Sequence, residues 1–249
     1  MMTENVKMEF LIENWRRFIS EAYGAGTIET MRVFDFDDTI AETESDVIIK
    51  RPPDYAEEKM SPAEYAVYEP RSEKDENGQR INSKGEIFDF REFAQITNPQ
   101  ELNDITAIFK RLLAAGPDGR YVSILTARGP AANDDIRAFL RIMADESGLD
   151  GDAIAEMDIV TLDSADPGDK ANWILDKASE FPDLELIEFF DDSPKNREAT
   201  ERLLKTELPD VNINVIDPAD LEGRVEQFLP SEEYEEKMAT SMENEESPF

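Results

Sequence analysis

The chain has 249 residues, 40% hydrophobic and 34% charged, enough for one α/β domain carrying an inserted piece and too apolar for global disorder. Lys and Arg number 26 against 58 Asp and Glu, a formal net charge of −32, and a surface that acidic repels phosphodiester backbones and disfavours long nucleic acid as a partner. Cysteine and histidine are absent, which excludes disulfides, thiol nucleophiles, haem–histidine ligation and Cys/His zinc sites; hydrolysis would have to use carboxylates, hydroxyls, lysine or an oxygen-ligated metal, and hard oxygen donors favour Mg²⁺.

In chain order, residues 8–23 predict an amphipathic helix, with Leu11, Trp15, Phe18 and Ala22 on one stripe widened by Ile19 and Tyr23. Gly24 and Gly26 stop it. This segment, 1–26, is expected either to pack on the main domain or to dock into the groove of a partner protein. No basic region followed by an apolar run marks a signal peptide. No stretch approaches the roughly 20 apolar residues of a membrane span. A cytoplasmic protein with no membrane partner is the expectation.

A strand is predicted at Met31–Asp37. Residues 41–97 carry turn signals at Arg51-Pro52-Pro53, Asn77-Gly78 and Lys84-Gly85 without a strong helical rhythm. They read as an insertion, partly hairpin and partly irregular. Asn98-Pro99 opens a helix through Ala115 with Leu102, Ile105, Phe109 and Leu112 or Leu113 on one side. Strand and helix then alternate: strand Tyr121–Leu125, helix Ala132–Ala144, strand Ile159–Leu162, helix Lys170–Phe181, strand Leu184–Phe190, helix Pro194–Lys205, strand Val211–Ile216 and helix Pro218–Phe228. Five strands separated by helices predict an α/β, Rossmann-like parallel sheet with right-handed crossovers and helices on both faces, built from 27–40 and 98–230. The tail 231–249, with seven Glu and one Lys, has little to bury and is expected to be disordered.

Ligands of parallel sheets gather at the carboxyl ends of the strands. Those ends read Asp35-Phe36-Asp37-Asp38-Thr39, Thr126-Ala127-Arg128 and Asp191-Asp192-Ser193, and Lys170 opens the helix before the fourth strand. Each has a plain structural alternative: Asp192 or Ser193 as the cap of a helix with Pro194 in its first turn, Thr126 as a turn residue, Lys170 as a solvated helix residue. Asp35 and Asp37 are harder to explain that way. Two acids two apart in a strand-like run share a side, and Asp38 adds a third charge; a divalent cation or a hydrogen-bond cage is needed to hold them.

The run Asp35-Phe36-Asp37-Asp38-Thr39 after an apolar strand resembles the first motif, DxDx[TV], of the haloacid-dehalogenase-like (HAD) phosphatases. Thr126, Lys170 and Asp191-Asp192 resemble the second, third and fourth motifs, in the same order, over about residues 28–216 with a gap at the insertion. The resemblance implies a phosphomonoester hydrolase. Asp35 would be the nucleophile forming an aspartyl-phosphate, Asp37 the general acid–base, and Thr126 and Lys170 the phosphate-binding groups. Mg²⁺ would be held by Asp35, the backbone carbonyl of Asp37, Asp191 and Asp192. Arg128 would either reach a second substrate phosphate or carboxylate, or pair with surface acids. Thr39 would fix the turn, the role of Asp38 is open, and Asn196 would support the metal loop or simply sit in its helix.

In this family the insertion at 41–97 takes the position of a small cap. Its one dense apolar knot, Ile87, Phe88, Phe90 and Phe93, would pack the insert onto the core or grip a base. Arg51, Arg71, Arg80 and Arg91 are scattered among acids and make no basic patch. A small phosphorylated metabolite or nucleotide is the expected substrate; a polynucleotide end-phosphatase is the alternative within enzymes. The segment Phe10–Phe18 resembles short N-terminal segments of marine bacteriophage proteins. That would imply a phage-encoded protein in the host cytoplasm or, as a structural alternative, a virion-associated protein with a HAD-like fold.

Overall fold

The structure, a computed structural model, describes residues 27–221 apart from Arg71, Pro117, Asp118 and Asp150. Strand β1 (Thr30–Phe34) leads into the insertion, which comprises β2 (Ala41–Glu42), β3 (Val47–Lys50), β4 (Glu57–Met60), helix α1 (Pro62–Val67), β5 (Glu73–Lys74), β6 (Arg80–Ile81), β7 (Ile87–Asp89) and a 3₁₀ turn at Arg91–Ala94. Then come β8 (Gln100–Glu101), α2 (Asn103–Ala115), β9 (Arg120–Thr126), α3 (Asn133–Glu146), α4 (Asp152–Ala155), β10 (Asp158–Thr161), α5 (Pro167–Ala178), β11 (Leu186–Phe190), α6 (Pro194–Glu207), β12 (Asn212–Ile216) and a 3₁₀ turn at Pro218–Leu221.

The main sheet has the order β10-β9-β1-β11-β12, and all neighbours are parallel. The chain builds outward from β1 to β9 and β10, then crosses back to lay β11 and β12 on the other side of β1. Strand order therefore reverses between β1 and β11, and a crevice opens beyond their carboxyl ends. The strands are apolar almost throughout because helices cover both faces. Phe34, Ile124, Ile159 and Phe190 pack with Ile105 and Phe109 of α2 and Ile136 and Leu140 of α3. Val33, Leu125, Phe189 and Ile213 pack with Ile174 and Ala178 of α5 and Leu204 of α6. The rings of Phe34 and Phe190 stack at 4.5 Å, and Phe109 meets Phe34 edge-on at 5.4 Å. Such pairs add about 0.5–1.5 kcal/mol each beyond burial, and these ones fix the last residues of β1 and β11 against each other.

Several boundaries differ from expectation for identifiable reasons. The first strand stops at Phe34, so Asp35–Asp37 lie in the loop beyond it. Helix α2 begins at Asn103 because Gln100–Glu101 is used to pair with Ala41–Glu42. Helix α5 begins three residues early: Asp166 caps it, its carboxylate accepting from the Gly168 N–H at 2.8 Å, with Pro167 in the first turn. Lys170 therefore sits one turn inside a capped helix rather than at its frayed start.

The insertion is more regular than a hairpin with irregular flanks. It folds as a five-stranded antiparallel sheet, β4-β3-β7-β6-β5, with its own core of Val47, Ile49, Met60, Tyr65 and Phe88. Its strands are two to four residues long, and Glu57, Glu58 and Lys59 of β4 face solvent, so each is too short to display a period of two in sequence. Charges meet along the edge: Lys50 faces Glu57 across the β3–β4 pair at 3.1 Å, and Arg91 of the 3₁₀ turn reaches Glu57 at 2.6 Å. Helix α1 carries a capping box, Ser61 and Glu64 each bonding the other's backbone N–H. The antiparallel pair β2–β8 forms the neck through which the chain enters and leaves this sheet.

The expected helix at 8–23, the tail 231–249, Arg71 and most of the expected helix at 218–228 lie outside the described residues. Among the described residues no helix is long and apolar enough to cross a membrane.

Candidate functional site

Asp35 is the first residue past β1, and its N–H donates to the Phe190 carbonyl at 2.9 Å, so the β1–β11 pairing fixes its backbone. Asp191 is the first residue past β11 and wholly buried. The buried ammonium of Lys170 lies between them, 2.8 Å from Asp35 Oδ1 and 2.7 Å from Asp191 Oδ2. Asp191 also accepts from the Ser193 N–H at 2.9 Å and from Asn196 Nδ2 at 3.0 Å on each oxygen. Asn196 thus supports the loop rather than merely occupying its helix. Thr39, the turn residue, accepts from the Asp192 N–H at 3.2 Å and ties the first loop to the fourth.

One carboxylate oxygen from each of Asp35, Asp191 and Asp192 lies within 4.8 Å of the other two. Three acids face a single lysine in a largely buried place, and the electrostatics show the strain. Burial, opposed by Lys170 and reinforced by Asp191 and Asp192, pushes the Asp35 carboxyl well above the usual range. Burial and then Asp191 push Asp192 up to about 7. Burial works against the charge of Lys170, but Asp191 and Asp35 outweigh it and hold the ammonium above its ordinary range. A divalent cation held by the three carboxylates would relieve this excess of negative charge. An all-oxygen donor set fits a hard ion such as Mg²⁺, which is bound by one or two carboxylates and completes its shell with water and substrate oxygens.

Asp37 stands apart from that triad. Its carboxylate is gripped by Arg128, with Nε on Oδ2 at 2.8 Å and Nη2 on Oδ1 at 2.7 Å, and the Thr43 hydroxyl donates to Oδ1 at 3.1 Å. Sequence reasoning offered Arg128 to a substrate or to surface acids. The structure instead buries it at 1% exposure and engages every guanidinium N–H: two on Asp37, one on Thr43 Oγ1 at 2.9 Å, and one each on the carbonyls of Gln95 at 2.8 Å and Phe93 at 3.3 Å. The Phe93 ring covers the guanidinium, 4.8 Å from its carbon. Arg128 therefore couples the first loop, the second loop and the insertion. Asp38 turns the chain in the left-handed region at φ 54°, and burial, then Asp37, raise its carboxyl.

Thr126 is buried at the end of β9, and its hydroxyl accepts from the Arg128 N–H at 3.2 Å. That bond orients the oxygen and leaves its proton to donate. A cavity of about 360 Å³ is lined by Asp35, Asp37, Thr126, Lys170 and Asp192 at the ends of the main sheet, and by Tyr65, Phe90 and Phe93 of the insertion.

Sequence reasoning missed Thr43 and Arg197. Arg197 donates from Nη1 to the carbonyls of Asp191 and Asp192, each at 2.6 Å, and pairs through Nη2 with Asp217. An arginine in the first turn of the helix after Asp191-Asp192 was the available signal; Thr43, in the neck of the insertion, offered none. The chain matches no family model, no curated protein and no solved structure.

Proposed function

We propose that the protein is a Mg²⁺-dependent phosphomonoester hydrolase of the HAD-like type, working through an aspartyl-phosphate. The observation that carries this reading is the placement of Lys170 between Asp35 and Asp191, with Asp192 completing an oxygen triad in the crevice where strand order reverses. Bound there by Asp35, Asp191 and Asp192, Mg²⁺ would neutralise charge on the phosphoryl oxygens.

The side chains supply the rest. An Asp35 carboxylate oxygen attacks phosphorus, a P–O bond to Asp35 forms, and the bond to the leaving alcohol breaks. Asp37, in the role of general acid, gives a proton to the leaving oxygen. The Thr126 hydroxyl and Lys170 ammonium donate to the non-bridging oxygens as charge develops on them. In the second half Asp37 takes a proton from water, the water oxygen attacks phosphorus, and Asp35 leaves with phosphate released. Arg128 and Thr43 hold the Asp37 carboxylate by both oxygens, so its orientation is set before substrate arrives. Separation of the Asp37 carboxylate from the triad suits this division of labour: the side chain is left to carry protons, and the backbone carbonyl of Asp37 would serve the cation.

The test is phosphate release from a panel of phosphomonoesters, including a nucleoside monophosphate, a sugar phosphate and a 3′-phosphorylated oligonucleotide, with Mg²⁺ and with chelator. Activity is expected with Mg²⁺ alone and absent in Asp35→Asn. Near wild-type rates in that variant would refute the nucleophile assignment.

A further inference from the structure

We propose that the cavity takes a nucleoside monophosphate, with the phosphate at the Asp35–Lys170 end and the base against the aromatic wall of the insertion. This rests on the phosphohydrolase reading for its chemistry, though not for its shape. The cavity is lined by two chemically distinct sets of residues. One is the charged floor at β1, β9 and β11; the other is formed by Tyr65, Phe90 and Phe93 with Arg80 beside them. Phe90 meets Tyr65 at 5.1 Å and Phe93 at 5.8 Å, both near edge-on. Arg128 already covers the Phe93 ring. Phe90 is half-buried and borders the cavity, and its cation partner Arg80, unlike that of Phe93, is not committed to a site carboxylate.

Arg80 gives the wall its second property. Its guanidinium carbon lies 5.4 Å from the Phe90 centroid, and Nη2 donates to the Asp163 carbonyl at 3.2 Å, which bridges the insertion to the loop after β10. Lys50, Arg51, Lys59 and Arg91 of the same insertion all sit on carboxylates. Arg80 sits on a carbonyl and an aromatic face, in a chain with 58 acids. A planar cation beside an aromatic ring offers a stacking surface and N–H donors to the edge of a base. At about 360 Å³ the cavity is near the small end of the 300–1,000 Å³ typical of ligand pockets, which suits one nucleotide rather than a strand.

The experiment compares kcat/KM for adenosine 5′-monophosphate and glycerol 2-phosphate in the wild type, Phe90→Leu and Arg80→Gln, all with Mg²⁺. Leucine keeps the bulk that the insertion packs on. The wild type is expected to prefer the nucleotide by at least about tenfold, and Phe90→Leu to lose about tenfold of that preference through KM, the scale of one base–aromatic stack; Arg80→Gln shifts the ratio in the same direction. Equal kcat/KM for the two substrates, or a ratio unmoved in both variants, overturns the proposal while leaving a phosphatase. If no phosphomonoester is cleaved, the hydrolase reading falls and calorimetric titration with adenosine 5′-monophosphate and Mg²⁺ decides the cavity. Sub-millimolar binding weakened in Phe90→Leu supports it, and absence of binding overturns it.

Discussion

Replacing Arg128 by lysine keeps the positive charge and removes the fork. Five N–H groups now serve Asp37, Thr43, Phe93 and Gln95; an ammonium has three donors radiating from one point and cannot span both Asp37 oxygens and the insertion carbonyls. At least two acceptors in a buried setting lose their partner. Each such loss costs about 1–3 kcal/mol, so a destabilisation of about 3 kcal/mol is expected, a fall of roughly 6–12 °C in Tm for a chain of this size. The catalytic effect is separable from it. With Asp37 no longer held by both oxygens, a misplacement of even 1 Å costs on the order of 100-fold where proton transfer limits the rate. The assay is kcat at a temperature where the variant is folded, on an alkyl phosphate and on p-nitrophenyl phosphate, whose phenolate leaves with little help. The alkyl ester is expected to suffer about 100-fold and the aryl ester much less. Equal losses on both, or a variant as stable and active as wild type, would refute the assignment of Arg128 as the residue that positions the acid.

Asp35→Asn should release no measurable phosphate, and because it removes one of three crowded carboxylates the metal-free protein should melt no lower than wild type; calorimetry in chelator reads the second effect. Lys170→Met leaves Asp35 and Asp191 buried and facing each other, which is expected to destabilise by about 3–5 kcal/mol, and added Mg²⁺ should recover part of the loss in a urea titration. In the metal-free protein Asp192, raised to about 7, keeps its proton in the folded state at pH values where the unfolded chain has lost it. Stability from this group is therefore full at low pH and declines as pH rises from about 4 towards 7. Mg²⁺ bound at the cluster would favour the ionised form and counter that decline: an excess of 100 times Kd is worth about 2.7 kcal/mol, so its effect on Tm should be larger at pH 8 than at pH 5, and equal shifts at the two would argue against cation binding at this cluster. Asp166→Ala removes the cap of α5 and should cost about 1 kcal/mol, visible as a lower midpoint in urea.

The alternation of buried strand and amphipathic helix was legible in sequence because the main sheet is covered on both faces; Val33 and Phe34, Leu125 and Ile124, Phe189 and Phe190 each send neighbours to opposite cores. Asp35 and Asp191 were legible because strand ends are where such a sheet collects ligands; Lys170, inside a helix, was legible only through its likeness to a third motif in the right order. What escaped has a common cause. The Asp37–Arg128 fork joins residues 91 positions apart, and Arg128 also rests on backbone carbonyls, which have no side-chain identity to read. The insertion escaped because strands as short as Glu73–Lys74 and Arg80–Ile81 draw their stability from pairing across the sheet, not from a pattern along the chain.

The neck made by Ala41–Glu42 against Gln100–Glu101 has an evolutionary consequence. Its two ends lie side by side, so whatever chain is strung between them closes the same gap, and lengthening it adds only a logarithmic entropic cost. Exchange of this module would thus reshape the cavity wall without redrawing the acidic cluster beneath, provided that a newcomer re-creates the few acceptors now lent to one buried guanidinium.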